Sequence, residues 1–95
     1  MSSVGVTIQS IPTASGSSAH FEYVIRGNTG GMRAGVVMSV WNDAIATYTD
    51  NSTPDLDGST TALSFEVRVS GSNVILVANA ASGTWTIKVG TRIIF

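Results

Sequence analysis

From Thr61 to Ser70 the chain changes character at every residue. Leu63, Phe65, Val67 and Val69 hold one parity; Ser64, Glu66, Arg68 and Ser70 hold the other. A period of two segregates side chains only on an extended backbone, whose successive side chains point to opposite faces. This segment is therefore a strand with one face on a core and one toward water. The competing period is missing. No stretch of ten or more residues repeats apolar positions at i, i+3, i+4 and i+7. The nearest candidate, residues 32–46, is rich in β-branched residues and glycine and reads as strand.

Weaker versions of the alternation recur along the chain, punctuated by turn residues. A first strand spans Val4 to Ile11, with Val4, Val6 and Ile8 on one face, and Pro12 ends its pairing or confines it to an edge. A second runs from Ala19 to Arg26, with Phe21, Tyr23 and Ile25 opposed to His20, Glu22, Val24 and Arg26. The third, Met32 to Trp41, is apolar on both parities, so both of its faces call for cover. A fourth follows from Ala44 to Thr49, and then a polar main loop from Asp50 to Thr60. After the strand 61–70, Ser70-Gly71-Ser72-Asn73 reads as a hairpin turn into a sixth strand, Val74 to Ala80. The seventh runs from Thr84 to Phe95, puts Trp85, Ile87 and Val89 on a core face, and has Gly90 where a bulge is expected. The last three strands are expected to form a meander. The fold class expected is all-β: a small antiparallel β-sandwich, jelly-roll-like, with seven or eight strands, forming one domain over residues 1–95.

Charge narrows the function. Five basic and six acidic residues give a net charge of −1. No basic stripe marks a nucleic-acid surface. There is no cysteine, which excludes disulfides, thiol catalysis and cysteine-held zinc. The apolar runs are too short for a membrane-spanning helix, and the first residues lack the basic and apolar regions of a signal peptide. No membrane or nucleic-acid partner is expected.

The residues that could support catalysis or metal binding do not assemble into a recognisable set. His20 is the only histidine, with Glu22 as its sole acidic neighbour on that face. Asp55-Leu56-Asp57-Gly58 resembles the start of a calcium loop, but Leu63 stands at the ninth position and the twelfth, Glu66, lies inside a strand. Glu22 and Glu66 sit near Arg26 and Arg68 and suit ion pairing better than glycoside hydrolysis. Glycines 27, 30 and 31 are followed by neither the lysine nor the helix of a phosphate loop. No cofactor, metal site or catalytic residue is expected. Trp41 and Tyr48 flank a turn and either fill core and interface or, with Asp50, Asp55 and Asp57, form a platform for a sugar.

Only 12% of the residues are charged, yet a chain of 95 residues buries just roughly 60–65% of its unfolded surface. Val74 to Val77 is apolar on both parities, and the chain ends on Ile93, Ile94 and Phe95. Val74, Ile75, Val77, Ile93, Ile94 and Phe95 are thus candidate contacts between copies in a homo-oligomer.

Residues 32–93 also resemble a module of tailed-bacteriophage structural proteins. The matching stretches are Met32-Arg33-Ala34-Gly35, Met38-Ser39-Val40-Trp41, Tyr48-Thr49-Asp50-Asn51-Ser52-Thr53, Val67 to Val74, and Ala81-Ser82-Gly83-Thr84-Trp85-Thr86-Ile87-Lys88. The resemblance implies a non-enzymatic, β-rich virion component of the fibre, tail or capsid-decoration type. It further implies self-association, with a trimer preferred, and contact with other virion proteins. A fibre tip would add a host-surface glycan as partner, read by Trp41, Tyr48 and the 50–60 loop.

Overall fold

The computed structural model describes residues 4–94 and shows a sandwich of seven antiparallel strands. They are β1 (Val4–Pro12), β2 (Ser18–Gly27), β3 (Met32–Trp41), β4 (Ala46–Ser52), β5 (Leu63–Ser70), β6 (Asn73–Ala80) and β7 (Trp85–Ile94). A 3-10 turn, Thr13–Ser15, links β1 to β2. One sheet has the order β1-β6-β5 and the other β4-β3-β2-β7.

The alternation read in the sequence becomes the core. Phe21, Tyr23 and Ile25 of β2, Val37 and Trp41 of β3, Leu63, Phe65 and Val67 of β5, and Val74, Leu76 and Ala78 of β6 pack between the sheets. Phe21, Ile25, Val74 and Leu76 are fully enclosed, and burying a side chain of that size stabilises by about 1.5–3 kcal/mol. Trp85, Ile87 and Val89 line the same side of β7, half-buried against this cluster.

Three expectations are corrected. The last three strands form no meander: β5 and β6 pair, but β7 crosses to the other sheet and pairs with β2 from Gly27↔Trp85 to Ser18↔Ile94. The second neighbour of β6 is β1. Alternation fixes which face of a strand is buried and is silent on which sheet it joins. Gly90 makes no bulge, since the β2–β7 register runs through it without a break. The irregularity lies in β1, between Thr7 and Gln9; Val6, opposite the core residue Ala78, is 55% exposed in the gap between β1 and β7. Lastly, the polar main loop is shorter than expected. Asp50, Asn51 and Ser52 extend β4, and Leu56 bridges back to Met32.

Candidate functional site

The residues singled out as a sugar platform do not form one. Trp41 lies on the inner face of β3, only 8% exposed, and its indole Nε1 donates to the Thr13 carbonyl at 3.2 Å. It plugs the sandwich beneath the 3-10 turn and offers no face to a ligand. Tyr48 stands diagonally next to it on the edge strand β4, opposite Ser39, and is 40% exposed.

Two of the candidate acids, Asp50 and Asp55, are engaged within the chain. The Tyr23 hydroxyl donates to Asp50 Oδ1 at 2.7 Å. Asp55 accepts hydrogen bonds from the Thr60 amide at 3.0 Å and from the Thr60 hydroxyl. Thr60 is fully buried, and its hydroxyl also accepts from Arg33 Nη1 at 3.1 Å, while Arg33 Nη2 donates to the Leu63 carbonyl at 3.2 Å. The Arg33 guanidinium stacks 5.7 Å from the Tyr23 ring centroid, within cation–π range. Asp57 takes a left-handed turn conformation (φ 62°) ahead of Gly58. The hydrogen bonds from Thr60, then the Arg33 charge, hold the Asp55 carboxyl below the usual carboxylate range. Burial, then the bond to Asp50, pushes the Tyr23 hydroxyl up. This polar corner staples the 53–62 segment to β2 and β3. Among the described residues no three His, Asp or Glu side chains lie close enough together to hold a metal ion.

Sequence reasoning missed Tyr23, Arg33 and Thr60 as a unit. One signal was present: Arg33 shares parity with Val37 and Trp41, and a cation on a core face needs partners.

The candidate contact residues separate into three groups. Val74 lies in the core without exposed surface, so it can touch no second copy. Ile75 and Val77 point outward from β6, opposite Arg68 and Glu66 of β5 and opposite Ser10 and Thr7 of β1. Both are nevertheless buried, at 8% and 2% exposure, because β6 is the central strand of its sheet. Ile93 and Ile94 are exposed on β7, at the open edge of the four-stranded sheet. Phe95 lies outside the described residues.

Two surfaces remain uncovered. The first is the outer face of the four-stranded sheet, where Ala34, Val36, Met38 and Val40 of β3 form an apolar stripe beside Val24 of β2. Met38, Val40 and Val24 are 38%, 51% and 43% exposed. His20 sits on this face between Met38 and Arg92, without an acid cluster around it. The second is the side of the sandwich where edge strands β1 and β7 stand apart. An apolar cleft opens there, lined by Val6, Ile8, Ala80, Trp85 and Ile87. No protein family, curated protein or solved structure matches this chain.

Proposed function

We propose that the protein is a non-enzymatic building block that works by associating with copies of itself, as a structural component of a phage or prophage particle. The observation that supports self-association is the outer face of β3. A strand with apolar residues on both parities suits a position between two layers, and in the single chain only its inner face is covered. Burying such a face contributes roughly 25 cal/mol per Å2 of apolar area, less the cost of ordering the partners. The virion assignment rests on the sequence resemblance of residues 32–93. The commitment of Asp50 and Asp55 to internal hydrogen bonds supports a scaffold role for the loop over a catalytic one.

The glycan-binding alternative loses its main aromatic, because Trp41 faces the core. Native mass spectrometry at micromolar concentration tests the assembly reading, with oligomers expected and a lone chain counting against it. Peptide mapping of particles purified from a strain expressing the gene tests the virion assignment, which fails if the chain is missing from them.

A further inference from the structure

Four strands end a sheet: β4 and β5 lie against each other, and of the other two β7 is the longer, at ten residues against nine for β1. β1 is an edge too, but it is bulged at Ile8 and closed by Pro12, two devices that discourage pairing with another chain. β7 has neither. It runs ten residues from Trp85 to Ile94 with an unbroken register against β2, and its other side is open. Resting on the assembly reading above, we infer that β7 pairs antiparallel with β7 of a second copy about a two-fold axis, joining two four-stranded sheets into one of eight strands.

Side chains select the register. Centring the axis on Gly90 would set Lys88 opposite the partner's Arg92, and centring it on Lys88 would set two lysines face to face. Like charges directly opposite are unfavourable. Centring it on Val89 pairs the whole strand and avoids both clashes. Lys88 then lies opposite the partner's Gly90, and Arg92 lies opposite the partner's Thr86.

That register also completes two features the single chain leaves open. Gly90 pairs with Glu22 of β2, and a side chain at residue 90 would meet nothing within 4 Å. The partner's Lys88 would sit next to Gly90, two strand spacings or about 10 Å from Glu22 across a position with no side chain. A lysine and a glutamate span that distance together. Glu22 is exposed, and the one ion pair among the described residues is Arg68–Glu66, so its carboxylate is free for this contact. On the inner face, Ile93 falls opposite the partner's Trp85. Ile93 is 38% exposed and Trp85 half-buried at the cleft beside β1, so each covers apolar surface on the other copy. Backbone pairing, an ion pair and an apolar contact thus converge on one occupant, repeated twice by the symmetry.

Charge exchange tests this without touching the core, since Glu22 and Lys88 are both exposed. Wild type, E22K, K88E and the double variant E22K/K88E are compared by sedimentation equilibrium. The expected result is a mass of two chains, or a multiple of two, for wild type. Each single exchange should weaken the dimer about tenfold or more, because attraction becomes repulsion at two symmetric sites. The double exchange should restore it. A three-chain mass, or a dimer indifferent to both single exchanges, overturns the β7 contact and leaves self-assembly standing. A monomer throughout the micromolar range overturns both.

Discussion

Tyr23 reaches Asp50 only because residue 35 has no side chain. Gly35 pairs with Tyr23, and a Cβ there would lie 2.5 Å from the Asn51 carbonyl oxygen and 2.8 Å from the Tyr23 hydroxyl. Both neighbours are fixed, the first by the β3–β4 ladder and the second by its hydrogen bond. Gly35→Ala is expected to cost about 3 kcal/mol. In a domain of this size that is a drop in melting temperature of more than about 10 °C, read by calorimetry. Asp55 sets a different dependence. Its carboxyl titrates below the ordinary value of 3.8 in the folded chain, so its contribution is complete above that pH and is lost as pH falls through the folded value. Asp55→Asn removes this linkage. The variant should be less stable than wild type at neutral pH, and the gap should narrow below about pH 4 in urea titrations. A gap that does not change with pH would show that the carboxylate is not what holds Thr60.

At the level of strands, legibility followed burial contrast. The buried face of β5 was legible because water lies on one side and Phe21, Tyr23 and Leu76 on the other. The strand nevertheless starts at Leu63 and not at Thr61, the Leu63 amide closing a turn onto the Thr60 carbonyl. β4 could not be read this way, and its limits moved from Ala44–Thr49 to Ala46–Ser52. Nearly all of its residues are exposed, so no alternation marks Asp50, Asn51 and Ser52 as strand. Its start shifts because Asn42 Oδ1 accepts from the amides of Ala44 at 2.8 Å and Ile45 at 2.9 Å, holding those residues in the turn. Asn42→Ala should cost about 1 kcal/mol through loss of this Asx turn, a shift of about 4–8 °C in melting temperature. The partner of β7 was equally hidden. Trp85, Ile87 and Val89 announce a core face, but pairing across the chain with β2 depends on how the two sheets close, which no local pattern encodes. The polar corner was partly visible through Arg33. Thr60, at the end of a polar run, gave no sign that it would be the one fully buried side chain there.

For the whole molecule, the open edge of β7 and the apolar stripe of β3 belong to the same four-stranded sheet. Its edge and its outer face point in different directions, so contacts through them are independent and can be removed separately. Pairing through β7 closes on itself, whereas stacking through the stripe of Ala34, Val36, Met38 and Val40 adds further copies to an already paired sheet. The double variant Met38→Lys/Val40→Lys separates the two. Both side chains are exposed, so the isolated fold should change by no more than about 0.5 kcal/mol. Sedimentation velocity over rising concentration should show the variant halting at the paired species while wild type continues to larger ones. If wild type and variant sediment alike at every concentration, the stripe is ordinary surface, and the apolar character of β3 has some other origin than contact between copies.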